Sequence, residues 1–206
     1  MPERPTLLVH GIWDEGACFA SMRAGLERAG LGPVEALDLS PNDGSARIER
    51  LAEQVDEAAS ALLARAAAPR LDVVGFSMGA LVSRYWLQRL GGKQRARRFV
   101  SIAGPHAGTA TAWALPKDGV RQMRPGSSLL RELAADEDPW GEVEVHCVFT
   151  PFDLMIVPSS SCRLPGCASE HRLLVPLHRF MITAPEAIAT VASILASDAP
   201  PRSTGE

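Results

Sequence analysis

The sequence lacks the long apolar and basic runs that are typical of membrane-spanning and nucleic-acid-binding proteins. No stretch approaches the roughly 18 apolar residues that a membrane helix needs, and the apolar run before His10 is too short for a secretory signal. The basic cluster at residues 93–98 is short, follows two glycines and is interpreted as a solvated loop. We therefore expect no nucleic-acid partner, no stable membrane insertion and a cytoplasmic location, unless an exported precursor has been trimmed.

Cysteine is sparse, and the four that are present do not have zinc-knuckle spacing. Cys18 and Cys147 lie among apolar residues and are expected to be buried thiols. Cys162 and Cys167 are close enough for a loop-closing disulfide in an oxidising compartment, and are expected to stay free in a reducing one. A zinc site made by this second pair with His171 is the alternative. We expect no metal and no cofactor.

Internal repeats are absent too, and the length of 206 residues with 46% hydrophobic residues suits one compact domain. Apolar strands alternate with amphipathic helices, which predicts an α/β fold with a mainly parallel central sheet and helices on both faces. This domain is predicted to cover residues 1–197, and the polar, proline-containing tail 198–206 is predicted to be disordered. Residues 104–142 are interpreted either as a small cap or as a surface excursion.

Boundary signals place several of these elements. A strand is predicted over 34–39, a long amphipathic helix capped by Ser45 follows it, and a last short strand is predicted over 172–176. Residues 127–133 are predicted to start a short helix inside the 104–142 segment. A final helix is predicted to open at Pro185, because proline is favoured in the first helical turn.

The most specific motif is Gly75-Phe76-Ser77-Met78-Gly79, which lies between an apolar strand-like run and an amphipathic helical stretch. In that context the pattern predicts a nucleophile elbow, a tight turn that presents the Ser77 hydroxyl at a helix N-terminus. Serine is a weak nucleophile at neutral pH, so it needs a base, and the base needs an acid that fixes its tautomer.

The acid and the base are expected on loops that follow later strands, in the order serine, acid, histidine. Asp153 follows the alternating run 143–149, and His178 follows the last strand-like run. The other histidines lack this topology. His106 follows an earlier strand, His146 lies inside a strand and His171 precedes one. Ser77, Asp153 and His178 are thus the predicted catalytic residues.

The first strand is followed directly by His10-Gly11-Ile12-Trp13. A glycine there lets the chain turn sharply enough to aim a backbone N–H at a developing oxyanion, so the amides of Ile12 and Met78 are the predicted oxyanion hole. His10 is expected to be a scaffold residue whose ring bonds within the loop. Trp13, Phe76 and Trp113 are the candidate substrate-binding side chains.

These motifs, together with Gly104-Pro105-His106-Ala107-Gly108-Thr109 and Asp153 with Val157-Pro158, resemble the α/β-hydrolase fold of small bacterial lipases and esterases. The resemblance implies a serine hydrolase that cleaves carboxylic esters of small molecules or lipids through an acyl-enzyme. The chain departs from that family in the bulky, charged surroundings of His178 and in the long 104–142 segment. The alternatives are a thioesterase, an amidase or an acyltransferase on the same residues, and a non-catalytic lipid-binding module. The oligomeric state is left open.

Overall fold

The computed structural model describes residues 4–197, and its centre is a sheet of six parallel strands in the order β2-β1-β3-β4-β5-β6. The strands are β1 Thr6–Val9, β2 Val34–Leu37, β3 Leu71–Phe76, β4 Ala96–Ile102, β5 Glu144–Phe149 and β6 Ser169–Arg172. Parallel strands bring all their carboxyl ends to one edge of the sheet. The loops that follow β1, β3, β5 and β6 therefore meet there, as the predicted site requires.

Helices cover both faces of this sheet, as predicted. They are α1 Ala20–Arg28, α2 Ile48–Ala66, α3 Met78–Arg89, α4 Asp118–Gln122, α5 Ser128–Ala134 and α6 Pro185–Ala196. Side chains alternate along each strand, so Leu7 and Val9 pack with α2 and α3, whereas Leu8 packs with α1 and α6. Among the described helices, none is long and apolar enough to cross a membrane.

The last strand lies earlier in the chain than predicted. β6 spans Ser169–Arg172 and includes His171, whereas Leu173 and Val175 are buried beyond the end of the strand. β6 is an edge strand whose residues alternate between half-buried and exposed. An edge strand needs fewer apolar side chains than an inner one. The apolar run 172–176 therefore predicted the strand at the wrong residues.

The basic run 93–98 is not a solvated loop, because its second half begins β4. Arg98 is buried and donates to Glu144 and to the carbonyl oxygens of Ile194 and Leu195 at the end of α6. A cation is favourable at that position because helix C-termini carry partial negative charge. Arg97 makes a two-point contact with the buried carboxylate of Asp72. Acidic partners distant in sequence thus allow this run to enter the sheet.

The predicted cap of α2 is also wrong. The Ser45 hydroxyl donates to Asp43 Oδ1, and α2 begins at Ile48 after Arg47, whose side chain bonds Glu49 and makes no capping hydrogen bond. The amide of Ile48 instead donates to Gln122 Oε1 at 2.7 Å. Gln122 ends α4, so the 104–142 segment caps a helix of the main fold. The acceptor for the first helical amide is therefore supplied by tertiary structure.

The 104–142 segment carries a 3₁₀ turn, Ala110–Trp113, and then α4 and α5. The predicted helix start is confirmed, because the Ser127 hydroxyl accepts a hydrogen bond from the amide of Leu130 at the beginning of α5. The segment packs next to the carboxyl edge of the sheet and lines a cavity there. The predicted disordered tail, 198–206, lies outside the described residues.

Candidate active site

Ser77 occupies the tight turn between β3 and α3. Its φ of 54° and ψ of −124° are strained for a residue with a side chain. The turn is held by packing: a Cβ on Gly79 would lie 2.2 Å from the carbonyl oxygen of Val9. Only a glycine allows that approach. Ser77 is 8% exposed and lines two adjoining cavities.

Asp153 and His178 meet at the same edge of the sheet. Nδ1 of His178 lies 2.7 Å from Oδ2 of Asp153, and the carboxylate side chain is fully buried. Oδ1 accepts hydrogen bonds of 2.8 Å from the amides of Met155 and Ile156. Both oxygens therefore have donors, which fixes the carboxylate and makes Nδ1 the protonated ring nitrogen.

The imidazole of His178 packs on Phe76, with ring centroids 4.7 Å apart. His178 and Ser77 line one small cavity of about 170 Å³ together with Phe76 and Trp13. No hydrogen bond joins Ser77 Oγ to the ring in the part of the chain that is described. In enzymes without substrate, such bonds are often long and tighten only when a complex forms.

The loop after β1 approaches Ser77 directly. A Cβ on Gly11 would lie 2.9 Å from Cβ of Ser77, so glycine is required for the loop to pass this close. The amide of Met78 is the first of α3, where the helix N-terminus leaves N–H groups without intrahelical partners. Ile12 and Trp13 follow Gly11, and Trp13 has a positive φ of 62°. The two predicted oxyanion donors thus belong to the loop that approaches Ser77 and to the first residue of α3.

Asn42, which lies outside the motifs, and His10, which lies inside one, hold this loop. The carbonyl oxygen of Asn42 accepts from the amide of Trp13 at 2.7 Å, and the Asn42 side chain donates to the carbonyl oxygen of Asp14 at 2.7 Å. The His10 ring bonds the carbonyl oxygen of Gly11 and accepts from the amide of Leu39. His10 is therefore a scaffold residue, as expected. No sequence signal identifies Asn42, which lies in a turn 28 positions away from Asp14.

An apolar cavity of about 300 Å³ opens beside Ser77. Its wall combines Ile12 and Trp13 with side chains of the 104–142 segment and with Met155 and Ile156. Thr109 ties these parts together, because its hydroxyl donates to the carbonyl oxygen of Met155 and accepts from the amide of Val157. The 104–142 segment is therefore part of the site wall.

The three candidate substrate-binding side chains differ in position. Trp13 lines both cavities and is 56% exposed, whereas Phe76 is buried and reaches only the smaller one. Trp113 is 64% exposed, stacks on the guanidinium of Arg124 and is not among the lining residues, although its neighbours Ala112 and Ala114 are. Sequence reasoning did not identify Met155, which also lines both cavities.

The remaining histidines and the cysteines have structural surroundings. His106 is buried with Nε2 2.6 Å from Ser101 Oγ, and burial together with the charge of Arg84 holds its pKa well below the usual value. His146 and His171 share the hydroxyl of Ser169. All four cysteines are free, and burial raises the pKa of the Cys18 thiol to about 12. Among the residues described, no three metal-ligating side chains are grouped.

Comparison with solved structures gives similar folds at low identity. Aspergillus fumigatus lipase B matches with a TM-score of 0.79 and 16% identity, over 97% of this chain and 54% of that one. The propeptide form of Bacillus licheniformis lipase BlEst2 matches with a TM-score of 0.81 and 13% identity, over 100% and 53%. This chain therefore spans about half the length of these two lipases. Paleococcus ferrophilus monoacylglycerol lipase matches with a TM-score of 0.69 and 15% identity, over 94% and 95%.

These likenesses establish the α/β-hydrolase fold. A comparison with curated protein sequences found no match. The family model of palmitoyl protein thioesterase matches residues 5–162, a range that contains Ser77 and Asp153 and ends before His178. Because the match extends over most of the sequence, the chain belongs to the palmitoyl protein thioesterase family within the α/β-hydrolase fold.

Proposed function

We propose that this protein is a serine hydrolase that cleaves carboxylic esters with apolar acyl groups through an acyl-enzyme. Ser77 is the nucleophile, His178 is the general base and Asp153 orients it. The amides of Ile12 and Met78 are the oxyanion donors. The proposal requires no cofactor.

One observation carries the proposal: His178, whose ring is held by Asp153, lines the same cavity as a serine on a strained turn. Strain of this kind persists only where the surrounding structure enforces it, and it is concentrated at functional sites. A buried carboxylate with three donors leaves Nε2 as the ring nitrogen that accepts a proton. That is the state a general base needs.

The reaction follows from these atoms. Nε2 of His178 takes the proton from Ser77 Oγ as this oxygen attacks the substrate carbonyl carbon, and the carbonyl oxygen becomes an oxyanion held by the two amides. The imidazolium returns the proton to the departing alcohol, which leaves an ester on Ser77. Water, deprotonated by His178, then attacks this ester and releases the carboxylic acid and the serine.

The two cavities suggest how a substrate is oriented. The larger one is mostly apolar and suits an acyl chain. The smaller one is bordered by the ion pair between Arg179 Nη1 and Asp14 Oδ1, at 2.7 Å, and suits a polar leaving group. Exposed apolar residues near both mouths, among them Trp13 and Met155, favour a lipid-like substrate.

A thioesterase is the second candidate, because the family model that matches the chain is that of palmitoyl protein thioesterase. The same residues attack a thioester, and a thiolate departs without needing full protonation. An amidase or an acyltransferase uses the same steps with a different leaving group or acceptor. A non-catalytic lipid-binding module would require the ordered Asp153–His178 pair to have no role.

Matched octanoyl substrates test the proposal: one ester, one thioester and one amide of the same acyl group, each measured as kcat/KM. We expect the ester to be cleaved and the amide to be cleaved far more slowly, because an amine is a poor leaving group. Each kcat/KM is compared with the rate of the same compound in buffer without enzyme. A larger acceleration for the thioester than for the ester would favour the second candidate.

Ser77→Ala is the control in the same assay. Loss of a triad nucleophile costs on the order of 10⁶ in turnover. Cleavage that survives in this variant above a few per cent would remove Ser77 from the proposed role. Absence of cleavage of all three octanoyl compounds by the wild type would contradict the proposed hydrolase.

A further inference from the structure

A further cavity, of about 420 Å³, is lined by residues other than those beside the serine turn. Its wall is mostly apolar and is formed by α5 together with Trp140 and Leu164, and Arg84 of α3 lies in it. No residue lines both this cavity and the ones beside Ser77. The catalytic residues are therefore not part of it.

Arg84 is the unusual group in this cavity. It is only 4% exposed, and its Nε donates to Gln88 Oε1 at 2.8 Å and its Nη1 to the carbonyl oxygen of His106 at 3.1 Å. Both partners are neutral, and Nη2 has no partner among the described residues. A buried cation without a carboxylate is costly, so an anion in the cavity would stabilise it.

Among the described residues, the acidic side chain that lines the cavity is Asp136, and it is already engaged by another cation. Asp136 accepts from Arg89 at 2.8 Å and from Gln88 at 3.0 Å, and Glu170 is paired with Arg163. Arg131 also lines the cavity, and its only hydrogen bond in the described part is from Nη1 to the carbonyl oxygen of Gly126. The cavity therefore has an excess of positive charge from Arg84 and Arg131.

We propose that this cavity binds an organic carboxylate, with the carboxylate on the Arg84 guanidinium and the apolar part against Trp140 and α5. The guanidinium of Arg84 lies over the Trp140 ring at 5.9 Å, which keeps its free edge next to the apolar wall. The apolar wall selects a ligand with a hydrocarbon part. Its single buried cation matches one negative charge better than the two of a phosphate monoester.

Octanoate is the probe, with acetate and inorganic phosphate for comparison, and the readout is NMR of the tryptophan indole N–H groups. The Trp140 indole donates to the carbonyl oxygen of Pro165 at 2.9 Å, and both residues line this cavity. Trp13 lines the cavities beside Ser77. We expect octanoate to shift the Trp140 resonance saturably, and to bind at least about tenfold more tightly than acetate because buried methylenes add affinity.

Variants assign the affinity to the guanidinium. Arg84→Gln is expected to weaken octanoate binding about 10- to 100-fold, as loss of hydrogen bonds to a charged group does. Arg131→Gln removes an exposed charge at the cavity and is expected to weaken it about three-fold or more, which keeps the test decisive if Arg84→Gln does not fold. Arg23→Gln removes an exposed charge on α1 and should change nothing.

The proposal would be overturned by a Trp140 resonance that octanoate does not shift, by octanoate affinity that is unchanged in Arg84→Gln or Arg131→Gln, or by phosphate binding that is tighter than octanoate binding. A shift of the Trp13 resonance alone would place octanoate beside Ser77 and would also overturn it.

Discussion

Asp153→Asn separates the catalytic role of this carboxylate from its structural role. The introduced amide keeps an oxygen that can accept from the amides of Met155 and Ile156, so the loop after β5 keeps its two hydrogen bonds. Its NH₂ group then faces Nδ1 of His178, where Asp153 Oδ2 now lies at 2.7 Å. Nδ1 must become an acceptor, and the ring proton moves to Nε2. The base that Ser77 needs is then blocked.

The expected loss is about 10⁴-fold in kcat, or about 5.5 kcal/mol of transition-state stabilisation, since the wrong tautomer of a triad histidine costs this much in a serine protease. Asp153→Ala is the matched variant. It also leaves the amides of Met155 and Ile156 without an acceptor, which costs about 1–3 kcal/mol for each group and lowers Tm by at least about 4 °C.

The assay is initial-rate hydrolysis of a chromogenic octanoyl ester, with Tm measured by calorimetry on the same samples. We expect Asp153→Asn to keep a Tm close to that of the wild type while losing activity. An Asp153→Asn protein that is well folded and retains a tenth of wild-type kcat would refute the tautomer argument. Equal Tm values for the two variants would refute the structural role given to Oδ1.

Three further predictions concern the loop after β1 and a buried histidine. Gly11→Ala places a Cβ 2.9 Å from Cβ of Ser77, so the loop must shift. We expect kcat to fall about 10²- to 10³-fold, as when one oxyanion donor is lost. A kcat within threefold of the wild-type value would contradict this. Asn42→Ala removes the bond to the Asp14 carbonyl, and should cost about 1 kcal/mol in denaturant unfolding and lower kcat less than Gly11→Ala does; a larger kcat loss than in Gly11→Ala would count against it. Burial lowers the pKa of His146 from 6.5 to about 4, so between these pH values the folded state binds fewer protons than the unfolded chain. The stability that depends on a neutral His146 is therefore present above pH 6.5 and is lost as the pH falls to about 4. After allowance for solvent screening the loss is about 1–2 kcal/mol, and His146→Gln should show a smaller decrease in unfolding free energy between pH 7 and pH 4; an unchanged decrease would exclude His146 as its source.

Local sequence signals predicted the parts of the fold that local physics decides. The alternation of apolar strands and amphipathic helices gave a parallel sheet with helices on both faces. The glycines around Ser77 predicted a tight turn, and Pro185 opens α6 as expected. The apolar run before Asp153 placed this residue on the loop that follows β5, where it meets His178.

All but one of the errors have the same cause, which is a partner far away in the sequence. Arg98 is buried because Glu144 and the end of α6 receive its charge, and α2 is capped by Gln122, 74 positions beyond Ile48. The hydrogen bonds of Asn42 and the buried guanidinium of Arg84 depend on the same kind of contact. β6 was misplaced because an edge strand carries little apolar pattern.

Labelling with a fluorophosphonate probe, followed by mass spectrometry of the modified peptide, tests the central claim most directly, because such a probe reacts with an activated serine. The account predicts stoichiometric labelling of the wild type at Ser77 alone, none in Ser77→Ala, and strongly slowed labelling in His178→Ala. A folded wild-type protein that is not labelled, or that is labelled at another serine, would contradict it.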